Sequence, residues 1–207
     1  MTRILLLLAI LCLLPGCTAL HKSQSTAVYD FGIQTPALSQ PSVQSAQLRK
    51  NSLLVADTTA PVWLDSKAIH YRLLYHNPTQ SYTYASNRWI ATPAALITQQ
   101  LRNRIAAGTQ EQVIKDNSIA TADHVLHTEL EEFSQVFDTA TDSRIVAGLR
   151  ASLIERSTRK LLAQKYFNIT AKAPSADAAG AVSALSAATN QLLDELVNWL
   201  AATLPHD

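Results

Sequence analysis

Ile69-His70-Tyr71-Arg72-Leu73-Leu74-Tyr75-His76-Asn77-Pro78-Thr79-Gln80-Ser81-Tyr82-Thr83-Tyr84 is the stretch that decides how this chain folds. Ile69, Tyr71, Leu73 and Tyr75 fall on one side of a two-residue alternation, with His70, Arg72 and His76 on the other. That period describes a half-buried strand. Asn77 to Gln80 has the composition of a turn, and Tyr82 and Tyr84 restart the alternation, so the stretch predicts a β-hairpin. Tyr71, Tyr75, Tyr82, Tyr84 and Trp89 concentrate the chain's aromatic residues here. Aromatic cross-strand pairs stabilise a hairpin by roughly 0.2–1 kcal/mol each. The same rings could instead form a platform for a lipid chain or a partner. The five residues are therefore the candidate contact residues, with a core role as the competing reading.

Working outward, Thr92 and Pro93 suit an N-cap and a first helical position. Ile97, Leu101 and Ile105 recur every four residues up to Gly108, which predicts a helix with one apolar stripe. Upstream, Ser52 to Ala56 reads as a short central strand and Pro61 to Leu64 as an irregular, aromatic-bearing segment. Tyr29, Phe31 and Ile33 alternate as a strand, and Gln34 to Asn51, with Pro36 and Pro41, reads as a loop. Downstream, Asp123 to Phe133 puts Leu126, Thr128 and Leu130 on one face. Ile145, Ala147, Leu149, Ala151 and Leu153 alternate in the next segment, Ser157-Thr158-Arg159 turns the chain, and Leu161, Ala163, Phe167 and Ile169 mark a return strand. Ala176 to Leu204 reads as a closing helix, capped by Ser175, with Val182, Leu185, Thr189, Leu192, Leu196 and Trp199 spaced three and four apart. The expected fold class is α+β, an antiparallel or mixed sheet with two long helices packed on one face.

The chain opens with a different physics. Arg3 precedes an apolar run from Ile4 to Leu14. That run is too short for a ~30 Å hydrocarbon core, which needs about twenty residues, and has the form of a secretory signal. Leu14, Gly16 and Cys17 resemble the lipobox of bacterial lipoproteins, with Pro15 a departure from the commoner small residues. The plainer alternative is a secreted protein with a chance cysteine. By the resemblance, Cys17 is the lipid-attachment residue. Each buried methylene contributes ~0.8 kcal/mol, so several acyl chains, palmitate among them, would anchor the protein firmly through its N-terminal lipid. Thr18, where Asp would retain a lipoprotein at the inner membrane, implies the outer membrane. Expected boundaries are a signal peptide over 1–16, a lipidated tether over 17–27 and a single periplasmic domain over 28–207.

Cys12 leaves with the leader and Cys17 is consumed by lipid, so the domain is expected to hold no thiol for disulfides, catalysis or metal. The full chain carries 17 basic and 16 acidic residues, and losing Arg3 makes them equal. That balance argues against nucleic acid, which favours a basic stripe, and against electrostatic binding to anionic lipid.

A lipobox, an early Tyr-rich strand, Tyr71-Arg72 in a strand, a hairpin with paired tyrosines, and Trp89 followed by Pro93 opening an amphipathic helix occur in that order. This succession resembles the ABC-type transport auxiliary lipoprotein family, the PqiC-like proteins, over most of the mature chain. The resemblance implies a non-enzymatic auxiliary component of an MCE-linked ABC lipid transport or membrane-integrity system. The implied partner is the MCE-domain periplasmic protein of that system, and a homo-oligomer is expected because one small domain is too small to surround a channel. The alternative is a structural or assembly lipoprotein that binds another outer-membrane protein.

Chemistry-bearing clusters are not expected. His124 and His127 are three apart in a strand and so face opposite ways, and Glu129 and Glu131 share a solvated face. No G-x-S-x-G motif or phosphate-cradling glycine run occurs. No catalytic residue, metal site or cofactor is therefore expected.

Overall fold

The computed structural model describes residues 25–32, 51–109, 111–116 and 118–204. The leader, Cys17, Thr18, Ile33 and most of the Gln34–Asn51 segment lie outside the described residues. Among the described residues, eight strands and two helices follow in chain order: β1 (Ala27–Tyr29), β2 (Ser52–Val55), β3 (Ala68–Leu73), β4 (Asn77–Trp89), α1 (Pro93–Gly108), β5 (Gln112–Lys115), β6 (His124–Phe137), β7 (Ser143–Glu155), β8 (Lys160–Lys172) and α2 (Ala178–Thr203).

All eight strands join one sheet, and the sheet is mixed. Strands close in sequence pair antiparallel, as β3–β4, β6–β7 and β7–β8 do. Distant ones pair parallel, because parallel neighbours need a crossover connection. β6 is the hinge of the arrangement. One edge holds β7 along its length, while the other holds β2 beside His124–Leu126 and then β3 beside Ser134–Phe137. β5 extends the sheet beyond β2, and β1 pairs parallel with the end of β4, Tyr29 opposite Trp89.

The alternation of β7 places Ile145, Ala147, Leu149, Ala151 and Leu153 in the apolar core. Ile97, Leu101 and Ile105 of α1 join the same core, as do Leu185, Leu192 and Leu196 of α2. The α2 seam is thus used within the chain, and Trp199 meets Phe167 of β8 edge-on at 5.8 Å. The two helices are also tied to each other: Arg104 pairs with Asp194 and donates to the Asn190 side chain.

Three local readings are corrected. The hairpin reverses at Leu74–His76, and Asn77 to Gln80 already belongs to β4. Asn77 Oδ1 accepts from the amide and hydroxyl of Thr79 at 3.1 and 2.8 Å, so the turn-forming asparagine acts just inside the strand. Pro78 is tolerated because it lies in the irregularity between the Leu73–Asn77 and Arg72–Ser81 pairs, and among the described residues β1 pairs only with Asn87–Trp89 on the other side of β4. The strand expected through Phe31 stops at Tyr29. Asp30 Oδ1 accepts from the Gly32 amide at 2.8 Å, and Gly32 has φ +81°, a turn conformation that favours glycine. Finally, Asp177 caps α2 and Ser175 does not. Its Oδ1 accepts from the Gly180 amide at 2.8 Å, and Ser175 Oγ donates to the same carboxylate at 2.7 Å. Helix α1 begins as expected, with Thr92 as N-cap and Pro93 first.

Candidate functional site

The tyrosines form a ring cluster on the face of β3 and β4 that bears Gln135 of β6. Tyr71 stacks on Tyr82 at 5.3 Å with an interplanar angle of 15°, lies 4.7 Å from Tyr84, and meets Phe137 edge-on at 5.7 Å. Register explains the grouping, since Tyr71 is opposite Tyr82 on one side and Gln135 on the other. All three tyrosines are half-buried.

The cluster is anchored by a polar chain through the sheet. Tyr84 Oη donates to Gln135 Oε1 at 2.6 Å; Gln135 Nε2 donates to Ser143 Oγ at 2.8 Å and to the Ser175 carbonyl at 3.2 Å. Ser175 then donates to Asp177, which caps α2. Burial pushes the Tyr84 hydroxyl well above its ordinary pKa, so it stays a donor. Hydrogen bonds from the Gly180 amide and the Ser175 hydroxyl hold the Asp177 carboxyl below the usual range. The hairpin is thereby connected to the start of α2.

The other two candidates separate. Trp89 is 1% exposed, packed against Phe31 at 5.2 Å and Phe133 at 5.8 Å, where it offers no surface to a partner. Tyr75, at the hairpin turn, is 52% exposed beside exposed Leu74. Gln135 was missed from sequence, although it occupies an inward position between Phe133 and Phe137, where a polar side chain signals a buried hydrogen bond.

Elsewhere, His124 is buried and His127 exposed, three positions apart in β6. Among the described residues no group of three or more His, Cys, Asp or Glu is placed to hold a metal ion. No described helix is long and apolar enough to cross a membrane. An open polar cleft of about 480 Å³ lies along the first turns of α1, where Arg102 is bound to the Val55 carbonyl and to Asp57. The Arg102 guanidinium is thus already satisfied by these partners.

Residues 33–197 match the family described as the ABC-type transport auxiliary lipoprotein component. The chain belongs to this family. It is therefore an auxiliary component of ABC-type transport and a lipoprotein of the cell envelope, a description consistent with a non-enzymatic role. A solved Xanthomonas campestris protein of the DUF330 family is 22% identical with a TM-score of 0.71, over 86% of this chain and 96% of that one. A second solved protein, described only as uncharacterized, is 13% identical with a TM-score of 0.63, over 85% and 99%. A hypothetical protein of Chlamydia trachomatis is 11% identical with a TM-score of 0.51, over 74% and 97%. At these identities the likeness is one of fold. Comparison with curated proteins gives no match.

Proposed function

We propose that the protein is the lipid-anchored, non-enzymatic outer-membrane subunit of an MCE-linked ABC lipid transport system, docking a periplasmic MCE-domain protein. The observation that carries this reading is the family match over residues 33–197, joined to a cysteine at the end of a short apolar leader. In this reading residues 1–16 are removed, 17–27 form the tether, and 28–207 act as one domain with both helices on one face of its sheet. Thr18 directs the acylated chain to the outer membrane.

The geometry supports a division of labour between two ends. The tether leads into β1, which pairs with the Trp89 end of β4. Tyr75 lies at the turn before the other end of β4, a strand of 13 residues. The β3 residues paired near those ends, Ala68 with Arg88 and Leu73 with Asn77, are five positions apart, so at ~3.3 Å per residue the two ends lie roughly 17 Å apart along the sheet. Tyr75 is then the aromatic that a periplasmic partner meets, with Tyr71, Tyr82 and Tyr84 stiffening the strands behind it. Self-association uses the same hairpin, since the α2 seam packs within the chain. The edge of β8 also carries Lys160, Lys165 and Lys172, which discourage strand pairing.

Replacing Cys17 by Ala should abolish radioactive palmitate labelling and signal-peptidase cleavage; unchanged labelling sinks the anchor. Thr18→Asp should move the protein toward the inner-membrane fraction in a host that uses that sorting rule. A photo-crosslinking amino acid at position 75 should capture the MCE-domain protein in intact cells. Capture of an outer-membrane assembly protein alone would favour the structural alternative. Light scattering on the purified chain should show an oligomer, and a strict monomer at tens of micromolar would remove the ring.

A further inference from the structure

We propose that the Trp63 side chain is a proton-operated cover, which closes over neutral His70 and lifts when His70 takes up a proton. It lies on the face of the sheet opposite the tyrosine cluster, and it does not depend on the partner argued above.

An excess of chain builds the cover. Thr59 bridges to Glu129 of β6 and His70 pairs with Ser134, so this edge advances eleven residues while β6 advances five. The excess leaves the edge as the turn of residues 61–66, and extra residues in a paired strand re-aim the side chains there. The Pro61 carbonyl accepts from the amides of Leu64 and Asp65 at 2.8 and 3.0 Å, and the Leu64 carbonyl accepts from Ser66 at 2.9 Å. Leu64, 1% exposed, pins the turn in the core, while Val62 and Trp63 stay outside, 94% and 42% exposed. With the backbone fixed at Leu64, the Trp63 ring can change rotamer without unfolding the turn.

The ring covers a histidine that lacks a partner. His70 is 8% exposed, and its buried Nδ1 has no hydrogen bond among the described residues. Its Nε2 reaches Ser66 Oγ at 3.4 Å. Trp63 stands edge-on to the imidazole at 5.9 Å, and the Arg72 guanidinium lies 5.7 Å from the same indole. The charges acting on His70 are Glu132 of β6 and Arg72 of its own strand. Its register partners, Ser134 of β6 and Thr83 of β4, are uncharged, and Ser134 donates to Glu132 Oε1 at 2.7 Å. β4 also sets Arg88 opposite Ala68, and in the turn Asp65 and Lys67 flank Ser66 and are exposed.

These groups compete over the proton. Burial disfavours the imidazolium, as does Arg72, while Glu132 favours it. Burial is the largest effect, so the His70 pKa lies below its ordinary value. An imidazolium also needs acceptors for two N–H groups, and the covered Nδ1 has none. Water supplies one once Trp63 swings away. The uncovered imidazole titrates near its ordinary value of about 6.5, and the covered one titrates lower. The closed state therefore binds fewer protons. It is favoured above the ordinary value and loses ground as pH falls from there toward the covered value. Acid then presents Trp63 beside Val62 as one apolar tip.

The test uses the purified full chain and two readouts between about pH 8 and pH 5, where histidine changes charge. By NMR, the His70 ring, assigned in the wild type through its contact with Trp63, should titrate below the ordinary value. Arg72→Gln should raise that titration, and Glu132→Gln should lower it further. Acrylamide quenching of Trp63, the share of emission lost in Trp63→Phe, should rise with acid in the wild type. In His70→Gln the rise should vanish. A His70 that titrates at or above its ordinary value overturns the proposal. So does a quenching rise retained in His70→Gln, or none in the wild type. If His70→Gln does not fold, the wild-type titration and its opposite shifts in the Arg72 and Glu132 variants decide.

Discussion

The hairpin β3–β4 and the meander β6–β7–β8 use the same antiparallel pairing to different ends. The meander shifts register once between β6 and β7 and once between β7 and β8, each time within a ladder of more than ten residues. The inward positions of β7, its central strand, are a plain aliphatic row that serves the core. The hairpin shifts twice within a much shorter ladder, between Ala68 and His70 and between Arg72 and Leu73. Those irregularities let Tyr71, Tyr82 and Tyr84 converge on one side while Trp89 enters the core at the far end. Regular pairing builds the foundation, and the irregular pair carries the exposed aromatic tip proposed to meet a partner.

The comparison breaks most visibly if the hairpin proves separable from the core. Trp89→Ala should destabilise the chain by about 3–5 kcal/mol, the range for large aromatic truncation in a core. Leu149→Ala in the meander should cost about 2–5 kcal/mol. Urea unfolding of the two variants checks both. A Trp89→Ala chain that unfolds like wild type would mean that the hairpin end is not part of the same cooperative unit.

Next is the polar connection. Tyr84→Phe keeps the ring stack but leaves Gln135 Oε1 buried without its donor, which should cost about 1–3 kcal/mol. Adding Gln135→Leu to that variant should recover part of the loss, since an apolar replacement at Gln135 removes the unsatisfied group. The recovery sharpens the claim that the hairpin is held by this chain of hydrogen bonds and not by ring stacking alone.

Much of this was legible because most of the ordered segments obey a simple period. The alternations in β3 and β7 and the four-residue spacing of Ile97, Leu101 and Ile105 can be read directly. The parallel pairings were not legible. Leu53 meets His124 and His70 meets Ser134 through contacts far apart in sequence, and no local pattern names such a partner. β5 was missed because Gln112 to Lys115 is short and its alternation slight. In the site, the tyrosine cluster was visible as composition, while its sorting into buried Trp89, half-buried Tyr71, Tyr82 and Tyr84, and exposed Tyr75 required the registers.

A smaller effect is expected where the connection ends. Asp177→Ala removes the N-cap of α2 and should cost about 0.5–2 kcal/mol at neutral pH. The folded Asp177 carboxyl titrates below its ordinary range because it accepts from Gly180 and Ser175. A depressed folded pKa contributes stability above the unfolded value, and that contribution is lost as pH falls through the folded one. Wild type and Asp177→Ala should therefore converge in acid. A constant difference down to the acid transition would show that the carboxylate charge is irrelevant to the cap.

The smallest stability effect should fall on the residue with the most to do outside the fold. Tyr75 is half exposed at the turn and makes none of the ring contacts that join Tyr71, Tyr82, Tyr84 and Phe137. Tyr75→Ser should change unfolding free energy by no more than about 0.5 kcal/mol, as for a surface position away from special features. Yet a half-exposed aromatic ring suits a contact, because its apolar body gains by losing water and its hydroxyl can keep a hydrogen bond. The same substitution should therefore weaken co-purification of the transport partner while leaving the melting curve in place. Trp89→Ala would reach the same loss only by unfolding the hairpin. If Tyr75→Ser leaves partner recovery at the wild-type level, the exposed tip is not the docking end, and the functional contrast between the two ends of the hairpin is lost.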